Sequence, residues 1–188
     1  VPWQKVIPAD GMSTRDCALI EPMSVGFHAV DNAGVKDNEV VMVIGCGMVG
    51  MGAIIRAALR GATVVAVDLD DEKLALAKEV GATHTINSRT TDVHEEMIRI
   101  SQGFGADVVI EAVGNPVTYN MAINEVSFTG RVVYIGYAKS EVSFQTKLFV
   151  QKELNICGSR NALPEDFRAV IHYLNTHNFP YDKFISRI

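Results

Sequence analysis

The chain has 188 residues, of which 48% are hydrophobic and 21% charged, and its formal net charge is −5 at pH 7. A chain of this length and composition can bury one sizeable core and is expected to form a globular domain. Its lysines and arginines are interspersed with the acids, so no basic patch for nucleic acid or an anionic membrane surface is indicated. No apolar run approaches the roughly 20 residues that span a bilayer, and the first residues lack the pattern of a secretory signal, so we expect a cytoplasmic protein.

The elements predicted along the chain begin with an extended lead-in over residues 1–20, which carries Pro2, Pro8 and Gly11 and has little periodicity. A short helix follows, with Pro22 at its start and Gly34 just past its end. From there apolar segments alternate with helical patterns. The predicted strands cover residues 39–45, 62–68, 83–87, 106–114, 130–137 and 153–159. The predicted helices cover residues 48–61, 71–81, 92–102, 116–126 and 164–177.

This alternation predicts the fold class. Apolar strands separated by crossover helices are buried on both faces, which indicates a parallel sheet in a doubly wound α/β structure. Right-handed crossovers that join two βαβαβ halves at the first strand give a six-stranded Rossmann sheet in the order 3-2-1-4-5-6.

A glycine motif stands between the first predicted strand and its helix. Gly45, Gly47 and Gly50 form G-x-G-x-x-G in the context that raises this pattern above a chance match. Gly45 permits a tight turn, Gly47 lets a pyrophosphate approach the backbone, and Gly50 lets the helix pack close to the strand. The free N–H groups of the helix N-terminus favour an anion, so residues 45–50, Met48 and Val49 included, are predicted to bind a dinucleotide.

Asp68 ends the second predicted strand, 18 residues after Gly50 (68 − 50 = 18). A carboxylate there can accept both ribose hydroxyls of an adenosine and repels a 2′-phosphate, which favours NAD over NADP. The next residue, Leu69, is followed by three acids, whereas NADP-binding proteins usually offer an arginine in this region. Lys73 is the first cation near the predicted ribose, and it is equally a candidate for a solvated surface lysine.

Other side chains give weaker signals. Cys17, Cys46 and Cys157 are far apart and form no C-x-x-C pair, which indicates neither a disulfide framework nor a zinc ribbon. We interpret Cys46 as a small turn residue rather than a reactive thiol. The histidines show no metal-like spacing, and we assign no catalytic role to any of them. They are His28, His84, His94, His172 and His177.

Two other nucleotide-binding classes share part of this pattern. Methyltransferases that use S-adenosylmethionine also have a glycine-rich first loop, but their first strand usually runs through an acid into the glycines, whereas Val43 and Ile44 leave this one apolar. A short-chain dehydrogenase needs a Tyr-x-x-x-Lys pair, and none of the five tyrosines has a lysine four residues later. Dinucleotide binding is therefore favoured.

Several segments, in unbroken order, carry a resemblance to a known family: "ALIEPMSVGFHAV", "VMVIGCGMVGMGAI", "VVAVDLDDEKLALAKEVGATHTIN", "DVVIEAVGN" and "GRVVYIGYA". With these segments the chain resembles the zinc-dependent medium-chain dehydrogenases over nearly its whole length. "ALIEPMSVGFHAV" is similar to the polyol, sorbitol-type branch. "GSRNALPEDF" resembles sugar-acid members such as galactonate dehydrogenases.

The resemblance implies an organisation and a reaction. Residues 1–20 would lead in from a catalytic domain that this sequence lacks, and residues 21–188 would form the NAD-binding Rossmann domain, ending after "FISRI" where the family's chain turns back. The full-length enzyme would use NAD and zinc to transfer a hydride between NAD and a secondary alcohol of a polyol or sugar acid. The cysteine and the His-Glu pair that hold most of the family's catalytic zinc are absent, so we expect this chain alone to hold no zinc and to be inactive.

The resemblance also carries over individual residues. Glu21, before Pro22, matches the place of a zinc ligand or of a carboxylate beside it, although an acid at a helix start also complements the helix dipole. Val25 and Val49 match positions that press on the nicotinamide ring, and both could equally be core. Arg160 could bind a substrate carboxylate or be a surface arginine. The ends of the fourth and fifth strands are expected to contact the cofactor, as carboxyl edges do in open α/β sheets: Ala112, Val113, Gly114, Ile135, Gly136 and Tyr137.

The last predicted strand has one charge at its start and no proline to block pairing. In the family two nucleotide domains join there, so we expect a homodimer through residues Leu154 to Gly158. Two alternative functions stay open at this point. One is a zinc-free quinone-type reductase of the same superfamily, against which Asp68 and Glu21 both argue, and the other is a dinucleotide sensor without catalysis.

Overall fold

The computed structural model describes residues 2–3 and 6–185 of the chain, so the ends of the predicted lead-in and of "FISRI" lie partly outside the described residues. Six strands carry the fold. They are β1 (Val40–Ile44), β2 (Thr63–Asp68), β3 (His84–Asn87), β4 (Ala106–Glu111), β5 (Val126–Tyr134) and β6 (Asn155–Gly158).

Helices connect and flank these strands. In chain order they are α1 (Thr14–Cys17), α2 (Ile20–Asn32), α3 (Met48–Leu59), α4 (Asp71–Glu79), α5 (Val93–Ile100), α6 (Pro116–Glu125), α7 (Lys147–Gln151), α8 (Pro164–Thr176) and α9 (Tyr181–Phe184). Within the described residues, no helix has the length and apolar character needed to cross a membrane.

The six strands form one sheet in the order β3-β2-β1-β4-β5-β6, and all their pairings are parallel. The predicted fold class and strand order are therefore confirmed. Alternate residues of β1 enter two separate cores, since Val41 and Val43 face the layer of α2, α3 and α8 while Met42 and Ile44 face the layer of α5 and α6. Burial on both faces explains why the strands are apolar throughout rather than alternating.

Several predicted boundaries were wrong. β4 ends at Glu111 and β5 at Tyr134, so residues 112–114 and 135–137 lie in loops beyond the strand ends. β5 begins at Val126 rather than at residue 130, because Val126 is already extended and the register with β4 shifts near Thr129, whose φ is +58°. α2 begins at Ile20, two residues before Pro22, since the first helical turn tolerates a proline.

Three short helices were not predicted, namely α1, α7 and α9. α1 lies within the lead-in that we expected to be extended. The side chain of Ser13 caps it by accepting a hydrogen bond from the Asp16 N–H at 3.1 Å. Helices of four or five residues have too few turns to show a periodic pattern.

The crossing of α2 and α3 brings two predicted site residues together. A side chain on Gly26 would overlap the carbonyl oxygen of Val49, and one on Gly52 would overlap that of Met23. These two glycines let the helix backbones touch. As a result, Val25 on α2 and Val49 on α3 lie on neighbouring helices at the same edge of the sheet.

Candidate functional site

The glycine turn lies at the carboxyl end of β1. Gly45 has a φ of +94°, a backbone conformation that residues other than glycine rarely adopt. Its N–H donates to the Val67 carbonyl at 2.7 Å. A Cβ on Gly50 would overlap the Gly45 carbonyl oxygen, so Gly50 allows α3 to pack against the turn. A Cβ on Gly47 would meet nothing within 4 Å. The turn is therefore closed on its inner side and open at Gly47, the N-cap residue of α3.

Asp68 lies beside this turn at the end of β2. Its Oδ2 accepts a hydrogen bond from the Cys46 N–H at 2.7 Å, and its Oδ1 accepts from the N–H groups of Leu69 and Asp70 at 2.7 and 3.2 Å. Two carboxylate oxygens offer about four acceptor positions, so the side chain is fixed in place and still has acceptor capacity. Burial, and secondarily the Asp68 charge, raises the pKa of the Cys46 thiol to about 12, which makes this cysteine a poor nucleophile at neutral pH.

The larger of two clefts that adjoin Ala112, here called the larger cleft, has a volume of about 600 Å³ and opens between the glycine turn and α6. Seven of the predicted site residues line it: Gly45, Gly47, Asp68, Leu69, Lys73, Ala112 and Val113. Sequence reasoning missed the opposite wall, which is made by Ser88, Asn115, Val117, Thr118 and Met121. Only their position just after the ends of β3 and β4 could have indicated them.

A second cleft of about 290 Å³, here called the smaller cleft, lies on the other side of Ala112. The other predicted residues that line it are Val25, Val49, Ile135, Gly136, Tyr137 and Arg160. Ser159 and Asn161, which flank Arg160, were missed. The two clefts share Ala112 and together follow the carboxyl edge of the sheet, where open α/β sheets bind ligands.

Four predicted residues line neither cleft. Met48 and Gly50 belong to the first turn of α3, and Gly50 is buried. Gly114 lies against the backbone of Tyr137, with a φ of +80° that fits the tight approach of the two loops. Glu21 is exposed in the first turn of α2.

Glu111 is a buried carboxyl that sequence reasoning missed, and it supports the wall between the two clefts. Its Oε1 accepts hydrogen bonds from the N–H groups of Val113 and Gly114 at 2.9 and 2.8 Å and from the Thr118 hydroxyl at 2.8 Å. Its backbone carbonyl accepts from the N–H groups of Ile135 and Gly136 at 2.8 and 3.1 Å. One residue at the end of β4 thus holds both loops that line the clefts.

A catalytic zinc site does not fit the residues that are present. Among residues 2–3 and 6–185, no group of three or more His, Cys, Asp or Glu side chains is placed to hold a metal ion. Catalytic zinc commonly takes three protein ligands. Glu21 therefore has no set of companion ligands within the part of the chain that the structure describes.

The chain is similar in sequence and in fold to known dehydrogenases. The sequence matches the family described as "Zinc-binding dehydrogenase" over residues 48–176. The chain is 32% identical to L-galactonate-5-dehydrogenase of Escherichia coli (strain K12), over 96% of the chain and 56% of that protein. It is 31% identical to a sorbitol dehydrogenase of Halalkalibacterium halodurans, over 90% of the chain and 50% of that protein.

A solved structure described as a zinc-binding dehydrogenase of Sinorhizobium meliloti 1021 bound to NADP superposes with a TM-score of 0.77 and 30% identity. The superposition covers 85% of this chain and 48% of that one. The chain thus spans about half the length of the relatives that it matches.

Proposed function

The chain belongs to the zinc-binding dehydrogenase family, and on that basis we propose that it is the nucleotide-binding part of an NAD-dependent dehydrogenase acting on a secondary alcohol of a polyol or sugar acid. The observation that carries this proposal is the glycine turn with Asp68 beside it, at the open edge of a parallel sheet. The relatives named for sorbitol and L-galactonate support the substrate class.

Each wall of the two clefts would have a separate task. The unpaired N–H groups at the start of α3 suit a pyrophosphate, because they combine free donors with the positive end of the helix dipole. Asp68, held by three N–H groups, would accept hydrogen bonds from the adenosine ribose. Val25 and Val49 would press on the nicotinamide ring, and Arg160 would bind a substrate carboxylate.

A bound nicotinamide dinucleotide supplies the hydride acceptor, and this chain supplies binding and orientation. The preference for NAD over its phosphorylated form is part of the proposal. Asp68 lines the larger cleft, and Asp70, Asp71 and Glu72 follow it at the start of α4. Like charges near a 2′-phosphate are unfavourable, and Lys73 is one lysine against this acidic group. One relative is bound to NADP, so membership of the family does not by itself select NAD.

We also propose that residues 1–20 connect to a catalytic domain and that residues 21–188 form the nucleotide-binding domain. Glu21 would approach a zinc ion only together with ligands from that other domain. For assembly, we propose a homodimer through β6. Within the described residues β6 pairs only with β5, all four of its residues are exposed, and Ile156 is 38% exposed. Such an edge presents unpaired N–H and C=O groups that another strand can bind.

Calorimetric titration of the purified chain with NAD and with NADP tests the proposal. We expect NAD to bind at least about tenfold more tightly, the difference that one lost charge-assisted hydrogen bond produces. Equal or tighter binding of NADP would show that Asp68 is assigned wrongly. Failure of both to bind would refute the dinucleotide site itself.

A further inference from the structure

The segment of residues 159–163, which carries Arg160 into the smaller cleft, is unusually well anchored for a loop; we call it the Arg160 segment. Ser159 at its start is buried, and Leu163 at its end is the N-cap residue of α8. Between them Arg160 and Asn161 are exposed and line the cleft. Exposed loops are ordinarily the most mobile parts of a fold. The contacts that fix the two ends of this segment, here called its anchors, therefore have to be identified.

Both anchors are made by α2. Near the start of the segment, the Asn32 side-chain amide donates to the Ser159 hydroxyl at 3.0 Å. Near its end, Asp166 Oδ2 lies 2.9 Å from His28 Nδ1 and also accepts the Leu163 N–H at 2.7 Å. The Asp166 side chain is only 4% exposed and that of His28 15% exposed, so water has little access to the contact between them.

The contacts fall on one stripe of α2. Residues 25, 28 and 32 are spaced by three and four, so they share one face of the helix. Val25 lines the smaller cleft, and the next two positions of the stripe hold the two ends of the Arg160 segment. The same face of α2 thus forms one wall of the cleft and fixes the distance to the facing arginine.

We propose that His28 and Asn32 are positioning residues that hold Arg160 in place for a carboxylate-bearing substrate, an inference that rests on the proposed function of the smaller cleft. They touch neither substrate nor cofactor and act through Asp166 and Ser159. A guanidinium bound to a carboxylate makes two parallel hydrogen bonds, so its usefulness depends on a fixed orientation. A pre-anchored segment avoids part of the ordering cost on binding.

Amide hydrogen exchange measured by NMR on the purified chain tests the anchoring. In His28→Leu, the buried Asp166 carboxyl loses the partner that fixes its orientation, so we expect the Leu163 amide to exchange at least about tenfold faster. His28→Asn places an amide donor where Nδ1 was and is expected to restore slow exchange. Asp31→Asn is the matched control, because it weakens ion pairs that α2 makes with Arg56 and Arg60 on α3 and its C-cap, and these pairs do not include the residues that hold the Arg160 segment.

Unchanged Leu163 exchange in His28→Leu, or equal acceleration in Asp31→Asn, would overturn the anchoring. A second titration tests the purpose of the anchor. It uses L-galactonate as the carboxylate probe and sorbitol as the neutral probe, both with NADH present. The Arg160 side-chain resonances are the readout. His28→Leu should weaken the L-galactonate response several-fold and leave NADH binding unchanged. An equal L-galactonate response in the variant would refute the positioning role, whereas failure of the unaltered chain to bind NADH would refute the proposed function and leave the exchange result standing.

Discussion

The residues that line the larger cleft were predicted to bind a dinucleotide, and Glu21 in the first turn of α2 was predicted to lie at a zinc site. These two regions are built in different ways. The cleft is made chiefly of main-chain geometry: a glycine turn, the start of α3 and a carboxylate held by three N–H groups. At the first turn of α2, Glu21 is a single exposed carboxylate. A site formed by the backbone is complete once the fold forms, whereas a metal centre needs several side chains brought together at one point.

The glycines give the largest test of this difference, because the cleft should depend on two of them for different reasons. Gly50→Ala puts a Cβ against the Gly45 carbonyl oxygen, which belongs to the backbone and cannot move aside. Forced overpacking of this kind costs typically about 1–3 kcal/mol, and we expect the upper end or more. Gly47→Ala meets nothing within 4 Å and should cost less than about 1 kcal/mol.

Urea unfolding of the two variants, followed by titration with NAD, separates stability from binding. Gly47→Ala should remain folded and still bind NAD at least about tenfold more weakly, since its methyl group would stand where a pyrophosphate approaches. If the two variants lost equal stability, the assignment of separate roles to the two glycines would be wrong. If folded Gly47→Ala bound NAD normally, the phosphate would have to lie elsewhere.

Asp68→Ala should have the next largest effect on binding, and it should also lower the free energy of unfolding, because the buried Cys46 N–H loses its acceptor. Loss of hydrogen bonds to a charged acceptor predicts NAD affinity lower by about 10- to 100-fold. NADP affinity should change less, so the difference between the NAD and NADP affinities should become smaller. Glu72→Ala is the control, because it removes the same charge from α4 without touching the Cys46 N–H. If calorimetry found the same loss of NAD affinity in both variants, Asp68 would contribute only through its charge and not through specific hydrogen bonds.

The exposed edge of β6 extends the comparison, since it too is a surface of main-chain groups. We expect the purified chain to dimerise and Ile156→Lys to shift it to the monomer, because a charge on an edge strand opposes strand pairing. Ile98→Lys on α5 is a matched control, as both isoleucines are 38% exposed. Light scattering over a range of concentrations measures the outcome. A monomer at every concentration, unchanged by Ile156→Lys, would count decisively against edge pairing.

The placement of the glycine turn and of Asp68 in the fold could be predicted from the sequence, and the reason is local. The turn at Gly45 and the acid at Asp68 each follow a strand whose pattern is visible within a few residues, and parallel topology brings all such strand ends to one edge. Glu111 and Thr118 escaped prediction because their roles arise from a hydrogen bond that forms only when α6 packs on β4. The anchors of the Arg160 segment join residues more than 120 positions apart, which no local pattern can indicate.

The smallest expected effect belongs to Glu21, and it is the strictest test of the contrast between the two regions. One exposed carboxylate cannot replace the three ligands that catalytic zinc commonly takes, so the purified chain should retain no stoichiometric zinc after exposure to zinc and dialysis. Glu21→Gln should then leave the metal content unchanged. The free energy of unfolding should change by no more than about 0.5 kcal/mol, as for other surface substitutions. Metal analysis of both proteins is the measurement. If one zinc bound per chain and was lost in Glu21→Gln, the first turn of α2 would already be a metal site. Side chains that the structure does not group around Glu21 would then have to complete it.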